Sequence, residues 1–272
     1  MKIKSLYFIL LSLLVSINSI SQNNERKFKI HTLAFYNLEN LFDTINDTNK
    51  NDEASPIMEI KYNRGKIYKK KISNMARVIS EIGYDVTNRP PTIIGICEVE
   101  NRKVVEDLIA NEKLSNHNYG IVHYDSPDRR GIDVGLLYNK DIFEIINSNS
   151  HELYITYNNT NDRSYTRDQL VVSGKLDGEL IHLIVNHWPS RGADETKRIA
   201  AAEVNNSIID SLRGIYKNPK IITMGDFNDD PFDKSIKKIL GAKKEINDVG
   251  KNDLYNPFEK ILVEQGIGTN AY

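Results

Sequence analysis

Short apolar runs of strand length recur along the chain, each bounded by polar or turn-forming residues. A run of this kind predicts a buried β-strand. The predicted strands are "FKIHTLAFYN", "PPTIIGICEVE", "GIDVGLLYN", both halves of "QLVVSGKLDGELIHLIVNHW", and "KIITM". Asp177 and Gly178 separate the two halves of the longest run, and Asp-Gly is typical of a two-residue hairpin turn, so part of the sheet is predicted to be antiparallel. In the last run, Ile221, Ile222 and Met224 are expected to be buried.

Three other stretches carry apolar residues at the spacing of an amphipathic helix. They are "GKIYKKKISNMARVISEIGY", "NRKVVEDLIANEKL" and "ETKRIAAAEVNNSIIDSLRGIY". Asn101 is placed to cap the second helix. Residues 43–66 are rich in Asn, Asp and Lys without periodicity, which predicts a long surface loop. Strands and helices are mixed without an internal repeat or a dividing linker, and this predicts one domain in which helices cover sheet.

The N-terminal residues have the composition of a secretory signal peptide. "MKIK" is basic, "SLYFILLSLLVSI" is an apolar core of the usual length, and Ser19 and Ser21 are small residues at the cleavage spacing. A buried N-terminal helix is the alternative, but the polar "QNNERK" follows directly. We expect residues 1–21 to be removed, residues 22–272 to form the domain, and the protein to be exported to the periplasm or the extracellular space. Later apolar runs are shorter than the roughly 20 residues that span a bilayer, so no integral membrane segment is expected after cleavage.

The charge balance argues against a module that binds DNA tightly by charge. The chain has 36 Lys and Arg against 37 Asp and Glu. Loss of Lys2 and Lys4 with the leader would leave 36 − 2 = 34 basic groups against 37 acidic ones, a net charge of −3. A body of this charge does not bind nucleic acid by charge alone, but an enzyme whose metal supplies positive charge locally is still possible. Cys97 is the single cysteine, so no internal disulfide can form, and its apolar neighbours predict a buried thiol.

Four predicted strands end on polar residues that can take part in chemistry. These ends are Asn37, Glu98, Asn186-His187, and Asp226 with Asn228. A strand can end on a polar residue simply because it has reached water, and the Asp, Asn and Pro of "MGDFNDDP" also favour a solvated turn. Four such ends carrying Asn, Glu, His and Asp together predict a convergent site at one edge of a sheet, where loops hold working groups.

Two other kinds of metal site share features with "GDFNDDP" but need residues that this chain lacks. An EF-hand loop would need Gly at its sixth position and Glu at its twelfth, where this chain has Pro231 and Lys237. A dinuclear metallophosphoesterase can also contain GDxxD, but it has D-x-H before that motif and G-N-H-[DE] after it. In this sequence no His has an Asp two positions before it, and "VNHW" precedes "GDFND".

In their order and spacing these motifs resemble the endonuclease/exonuclease/phosphatase superfamily, which includes deoxyribonuclease-I-like and exonuclease-III-like nucleases, inositol polyphosphate phosphatases and sphingomyelinases. "YNLENLF" is similar to the first strand of the family, "GICEVEN" to its QE strand, "VNHWPSRG" to the strand with a catalytic His, and "GDFNDDP" to its GDxN signature. The resemblance runs from about residue 30 to the end of the chain. It implies an α+β fold in which two mixed β-sheets pack face to face with helices outside, a four-layer sandwich.

The resemblance also implies roles for individual residues. Glu98 would bind a divalent cation, with Asn37 beside it; Mg²⁺ is expected because it favours one or two carboxylates plus waters and substrate oxygens, and Mn²⁺ or Ca²⁺ are alternatives. Asp226 would orient or deprotonate the attacking water, and Asn228 would donate a hydrogen bond to the developing oxyanion. His187 can be charged or neutral near neutral pH, and in its charged form it would contact the phosphate or protonate the leaving oxygen.

Four further charged residues are candidates for the same site. Asp133, in "RRGIDVGLL", is a candidate partner that fixes the tautomer of His187. Arg191, Arg130 and Arg167 are candidate phosphate contacts, because the guanidinium fork matches phosphate oxygens. For each of them a structural or solvated charge is the alternative.

Together these features predict a secreted, monomeric phosphodiesterase of the endonuclease kind, with DNA or RNA as the substrate. Two alternatives are left open: a lipid or inositol phosphate phosphoesterase of the same family, and a weak or inactive member that acts as a binding protein. The sequence shows no cluster of the exposed aromatic hairpins that lipid-cleaving branches tend to carry.

The C-terminal part of the chain departs from the family pattern. The last family motif, a Ser-Asp-His strand end, has no match after "GDFND", and all six histidines precede residue 190. We therefore expect the last strands to be missing, the chain to be truncated relative to the family, and turnover to be weak or absent. A short variant that closes its sheet differently and is active is the alternative.

Overall fold

The computed structural model of the protein describes residues 28–157 and 160–266. Its helices and strands lie within the unit His31–Tyr272. The predicted signal peptide (residues 1–21) and the chain end at Tyr272 lie outside the described residues, so both stay predictions.

The first sheet contains four strands in the order β1 (Leu33–Leu41), β2 (Ile93–Val99), β4 (Asp133–Asn139) and β3 (Tyr119–His123). Strands β1 and β2 are parallel, whereas β4 is antiparallel to both β2 and β3. The carboxyl ends of β1 and β2 therefore reach the same edge of the sheet.

The second sheet contains β10 (Lys220–Asp226), β9 (Glu179–His187), β8 (Gln169–Leu176) and β5 (Phe143–His151), in that order. Strands β8 and β9 form the predicted hairpin, and β9 runs parallel to β10. A separate two-stranded ribbon pairs β6 (Ile155–Thr156) with β7 (Arg163–Ser164). Both main sheets are mixed, as the fold class requires.

The inner faces of the two sheets form one apolar core. Alternate residues of β2, such as Ile93 and Cys97, pack in the same cluster as Leu183 and Val185 of β9 and as Phe143 of β5. All five are buried. Face-to-face packing follows from this alternation, because every second residue of a strand points to the same face.

Helices cover the outer faces of both sheets. They are α1 (Pro56–Glu59), α2 (Arg64–Glu81), α3 (Tyr84–Thr87), α4 (Arg102–Ile109), α5 (Glu195–Ile215) and α6 (Pro257–Gln265). Helices α2 and α4 pack through Ile79 and Leu108 on the cluster that includes Ile96 of β2. Helix α5 packs through Ile208 on Ile184 of β9. The order helix, sheet, sheet, helix confirms the predicted four-layer sandwich.

Several local predictions are confirmed and others are corrected. The side chain of Asn101 caps α4 by accepting from Val104 N at 3.1 Å. Strands β3 and β5 were not predicted, and the segment 43–66 is not only loop, because it contains α1 and the start of α2. The predicted burial of Ile221, Ile222 and Met224 is wrong: Ile221 and Met224 are half-buried and the side chain of Ile222 is 39% exposed, because β10 lies at the edge of the second sheet. Among the described helices, none combines the length and apolar character needed to cross a bilayer.

Candidate active site

Four strand ends, two from each sheet, meet at one edge of the sandwich. In the first sheet Asn37 of β1 is the register partner of Cys97, the residue before Glu98. In the second sheet Asp226 of β10 is the register partner of His187 of β9. Both pairs are parallel, so their side chains emerge at the same end. The predicted convergence of Asn37, Glu98, His187 and Asp226 is thus what the fold produces.

The side-chain amide of Asn37 joins the two carboxylates of the site. Its Nδ2 donates to Oε1 of Glu98 at 2.9 Å and to Oδ2 of Asp226 at 3.1 Å. Its Oδ1 accepts from the backbone N of Glu39 at 2.8 Å, which fixes the orientation of the amide. One residue therefore links the first sheet to the second at the point where the acidic groups converge.

Glu98 occupies an unusual backbone position. Its φ is 59°, in the left-handed region, and the ladder of β2 shifts register between Cys97 and Val99. Such a conformation at a non-glycine residue costs on the order of 1–3 kcal/mol and is concentrated at functional sites. Its carboxylate is held on the other side as well, because Oε2 accepts from the backbone N of Asn40 at 2.8 Å.

His187 is buried at the end of β9, with 6% of its surface exposed. Its Nε2 lies 3.7 Å from Oε1 of Glu98, and its Nδ1 has no hydrogen-bond partner among the described residues. Burial lowers the pKa of His187 well below its usual value, and the nearby guanidinium groups of Arg167 and Arg130 lower it further. Of the two protonation states left open by the sequence, the structure favours the neutral imidazole.

Asp133 does not contact His187, and this prediction is corrected by the structure. Its Oδ2 lies 3.1 Å from Nε2 of His123, and its Oδ1 accepts from the backbone N and Oγ of Ser126 at 2.7 and 2.6 Å. The reason is topological: β4 lies between β2 and β3, so a residue at its start faces the end of β3. His123 is the histidine that Asp133 orients.

The backbone carbonyl of Trp188, directly after His187, accepts two side-chain hydrogen bonds. Nδ2 of Asn228 donates to it at 3.0 Å and Nη2 of Arg167 at 2.5 Å. An amide nitrogen has two N–H groups, so the predicted oxyanion contact of Asn228 is compatible with this bond. The backbone N of Asn228 also donates to Oδ1 of Asp226 at 3.1 Å, which orients that carboxylate.

The predicted arginines have different surroundings. Arg191 pairs with Asp230 and Asp233, with Nη2 2.8 Å from each carboxylate, so it holds the loop after β10, and its contact with phosphate stays a prediction. Arg191 lies in the loop after β9, four residues past His187, and its side chain crosses to the loop after β10. Arg130 makes a two-pronged contact with Asp128 at 3.0 and 3.1 Å.

Two functional positions on α5 escaped the sequence analysis. Arg198 is buried against Asp229 in the loop after β10, with Nε 2.5 Å from Oδ1. Asn205 is fully buried and donates to Oδ1 of Asn186 at 2.9 Å and to Oγ1 of Thr223 at 3.0 Å. Through these contacts α5 holds the ends of β9 and β10 in place. The sequence contained one signal for both residues, because each is polar and lies on the helix face that carries the buried apolar residues of α5.

The residues at the site fit a hard divalent cation. Two carboxylates, Glu98 and Asp226, share one neutral amide, and the adjacent His187 is neutral, so the cluster carries uncompensated negative charge. Carboxylate oxygens are ligands that Mg²⁺ prefers. Asn37 turns its NH₂ group toward the cluster and its Oδ1 toward Glu39 N, so the structure corrects it from a metal ligand to a residue that orients the two carboxylates. Cys97 also places its sulfur within 4.8 Å of ligand atoms of His187 and Asp226. Burial raises the pKa of this thiol well above its usual value, so it is a poor ligand for a hard ion.

A family model described as "Endonuclease/Exonuclease/phosphatase family" matches residues 32–272. The chain belongs to this family. The match covers nearly all described elements and contains the four strand ends that form the site. The resemblance found in the sequence motifs is therefore confirmed. No curated protein sequence is significantly similar to this family member.

Solved structures confirm the fold of this family member. ANGEL2, titled a 2′,3′-cyclic phosphatase, matches with a TM-score of 0.54 and 14% identity over 78% of this chain and 56% of that one. The Bacteroides thetaiotaomicron mannosyl-6-phosphatase Bt3783 matches with a TM-score of 0.51 and 20% identity over 78% and 70%. A conserved protein of unknown function from Enterococcus faecalis V583 matches with a TM-score of 0.50 and 15% identity over 77% and 71%. This chain therefore spans little more than half the length of the ANGEL2 chain.

Proposed function

We propose that this protein is a divalent-metal-dependent phosphoesterase that hydrolyses phosphodiester bonds, as a secreted endonuclease-like enzyme. One observation carries the proposal: the amide of Asn37 joins Glu98 and Asp226, from different sheets, next to His187. Hydrolysis of a phosphate ester requires a positioned water and neutralised phosphoryl charge, and this cluster contains groups for both tasks.

The residues of the chain divide the reaction between them. Asp226 accepts the proton of the attacking water on a carboxylate oxygen while the oxygen–phosphorus bond forms and the bond to the leaving oxygen breaks. Asn228, whose backbone N already bonds to that carboxylate, offers its second amide N–H to the phosphoryl oxygen. The neutral His187 offers one ring N–H to the same group. General-base assistance of this kind is worth roughly 10²–10⁴ in rate.

Glu98 would hold the metal ion, with its carboxylate oriented by Asn37. When bound, Mg²⁺ supplies positive charge to the phosphoryl oxygens and to the leaving oxygen. The two hydrogen bonds to Glu98, from Asn37 Nδ2 and Asn40 N, keep its carboxylate aimed at the cluster.

The printed names of two structural neighbours, a 2′,3′-cyclic phosphatase and a mannosyl-6-phosphatase, both describe action on phosphate esters. They support reaction at phosphorus but leave the substrate open. We also propose that the protein is exported, on the basis of the signal-like composition of residues 1–21.

A panel of substrates tests the proposal. The purified protein is incubated with plasmid DNA, RNA, bis-p-nitrophenyl phosphate, p-nitrophenyl phosphate and phospholipid vesicles, each with Mg²⁺ or with EDTA. We expect Mg²⁺-dependent cleavage of the diesters, and of DNA or RNA before vesicles. Cleavage of the monoester alone, or the same rates in EDTA, would contradict the proposal.

A further inference from the structure

A cleft of about 300 Å³ opens beside the candidate active site. Its walls come from four parts of the chain: the loop before β4, the β6–β7 ribbon with the residues beside it, the loop after β9, and the start of α5. The cationic and aromatic side chains in its walls include Arg129, Arg130, Tyr157, Tyr165, Arg167 and Lys197. Pro189 and Ser190, which directly follow the His187–Trp188 end of β9, also line it. The cleft is thus continuous with the chain segment that carries the catalytic histidine.

The charge of the cleft is strongly positive. Arg129, Arg130, Arg167 and Lys197 line it together with a single carboxylate, Asp128, so the charges sum to 4 − 1 = +3. This contrasts with the chain as a whole, whose net charge is −1. A local excess of this size in a concave site favours an anion carrying more than one charge.

The cations are held in place before any ligand arrives. The guanidinium group of Arg129 lies over the ring of Tyr165 at 5.0 Å, and Nζ of Lys197 lies over the ring of Tyr157 at 4.7 Å. Lys197 also donates to Oγ of Ser164 at 3.0 Å. Contacts between cations and aromatic faces stabilise such side chains in these positions. Pre-positioned charges lose less entropy when an anion binds.

The floor of the cleft contains a donor without a partner. Arg167 is buried, with 5% of its surface exposed, and its Nε has no hydrogen-bond partner among the described residues. Oγ1 of Thr166, which also lines the cleft, is buried and unpartnered in the same part of the structure. Buried polar groups without partners are rare in proteins. Both residues line the cleft, and guanidinium N–H and hydroxyl groups are donors to the oxygens of a phosphate.

The same tyrosines argue against recognition of a base. The ring of Tyr165 has two guanidinium groups over it, Arg129 at 5.0 Å and Arg163 at 4.7 Å, and Tyr157 has Lys197. Nucleic-acid proteins that bind bases by stacking need open aromatic faces. Here the faces are used to hold cations, so the cleft suits phosphate oxygens rather than rings.

We propose that this cleft binds a second phosphate group of the substrate, next to the phosphate that is hydrolysed. The position supports this, because Nη2 of Arg167 donates to the carbonyl of Trp188, the residue after His187. The proposal rests on the proposed function, and it narrows the substrate to molecules with two phosphates, recognised without reading a base. Such a substrate can be a nucleic acid backbone or a small bisphosphate.

Binding measurements test the cleft without requiring turnover. Isothermal titration in EDTA compares thymidine 3′,5′-bisphosphate with thymidine 5′-monophosphate, and fructose 1,6-bisphosphate with fructose 6-phosphate. In the wild type we expect the bisphosphate of at least one pair to bind 10-fold or more tightly than its monophosphate, a difference of about 1.4 kcal/mol. Preference within both pairs indicates recognition of phosphate alone, and preference within the nucleotide pair only indicates a backbone substrate. Equal binding within both pairs overturns the proposal.

Variants at two exposed or half-buried cleft positions locate the effect. Arg129→Ala and Lys197→Met should each reduce the bisphosphate preference to about 2–3-fold, and should leave cleavage of bis-p-nitrophenyl phosphate unchanged because that diester has one phosphate. Lys175→Met, on an exposed residue of the hairpin between β8 and β9, is the matched control. A preference that survives both cleft variants also overturns the proposal. If no substrate is hydrolysed but the preference and its loss are observed, the cleft is supported while the proposed function fails.

Discussion

Arg198 and Asp229 form a buried ion pair between α5 and the loop that follows Asp226, with Nε of the arginine 2.5 Å from Oδ1 of the aspartate. The guanidinium group also donates through Nη1 to the carbonyls of Ser190 and Ala193 at 3.1 and 3.2 Å. One side chain of the helix thus holds the loops after both β9 and β10, the two strands that carry His187 and Asp226.

Arg198→Met should destabilise the protein by about 3–5 kcal/mol, because it leaves the carboxylate of Asp229 buried without its cation. Urea unfolding measures the change. Arg102→Met, which removes an exposed pair with Glu106, is the control and should cost about 1 kcal/mol or less. Adding Asp229→Asn to Arg198→Met should cost less than the two single changes combined. Strict additivity would mean that the two side chains do not interact.

Glu98→Gln should lower the rate of diester cleavage at least about 100-fold, the scale seen when one electrostatic group of a site is lost. Glutamine keeps the shape, but its single amide oxygen can replace only one of the two carboxylate oxygens that accept from Asn37 Nδ2 and Asn40 N, and it removes the charge that would hold the cation. Initial rates across a Mg²⁺ titration measure the effect, with exposed Glu112→Gln as the control. A wild-type rate in the variant, or full activity of the wild type in EDTA, contradicts the metal site.

Asp226→Ala and His187→Ala should each severely reduce turnover, and the double variant should lose far less than the product of the two effects. The two residues are register partners on β10 and β9, and both approach the cluster formed by Asn37 and Glu98. Groups that act as a unit show such non-additivity. Steady-state rates of the three variants show whether the two residues act as a unit or independently. Losses that multiply in the double variant would show that their roles are independent.

Gly225→Ala should both destabilise the protein and abolish most of its activity. A Cβ at Gly225 would lie 2.3 Å from the backbone oxygen of Asn186 on the neighbouring strand, and the glycine has a φ of +157°. Overpacking of this kind costs about 1–3 kcal/mol, and here it displaces Asp226. Gly65→Ala is the control, since a Cβ there meets nothing within 4 Å and α2 should gain stability. Normal activity of Gly225→Ala would mean that the strand tolerates the shift.

The sequence allowed the convergence of Asn37, Glu98, His187 and Asp226 to be predicted, because each residue ends an apolar run. Strand ends are visible in a sequence since hydrophobic periodicity stops there. Strand β5 was not predicted because "FEIINSNSH" lacks a continuous apolar run of strand length. Most of the residues that it exposes are polar.

Contacts between individual side chains were harder to predict than the strand ends at which those side chains lie. Asp133 was assigned to His187, whereas it faces His123 across the β3–β4 ladder, and strand order cannot be obtained from one apolar run. Arg191 was assigned to phosphate, and its pairs with Asp230 and Asp233 could not be predicted because these partners lie 230 − 191 = 39 and 233 − 191 = 42 residues further along the chain. The role of Arg198 depends on which face of α5 meets the second sheet, and this face is fixed only by tertiary packing.

Glu100 should make folding stability depend on pH. Its carboxylate is buried, and burial raises its pKa from 4.5 to about 7, with the nearby Asp43, Asp52 and Asp47 adding to the effect and the hydrogen bond from Asp43 N, at 2.7 Å, opposing it. The unfolded chain releases this proton near pH 4.5 and the folded chain only near pH 7. Between these values the folded state binds more protons than the unfolded state, so this group's contribution to stability is present below pH 4.5 and is lost as the pH rises to 7.

Glu100→Gln removes that ionisation and keeps an acceptor for Asp43 N. Relative to the wild type, the variant should therefore gain about 1–2 kcal/mol of unfolding free energy between acid and mildly alkaline pH, a fraction of the full linkage because solvent and local relaxation screen the carboxylate. Urea unfolding in EDTA at pH values on either side of the interval measures this difference, and subtracting the wild-type curve cancels the other carboxylates. For Glu112→Gln, at an exposed position, the unfolding free energy should change with pH in parallel with that of the wild type. A Glu100→Gln curve that also runs parallel to the wild type would show that Glu100 ionises in the folded protein as it does in the unfolded chain.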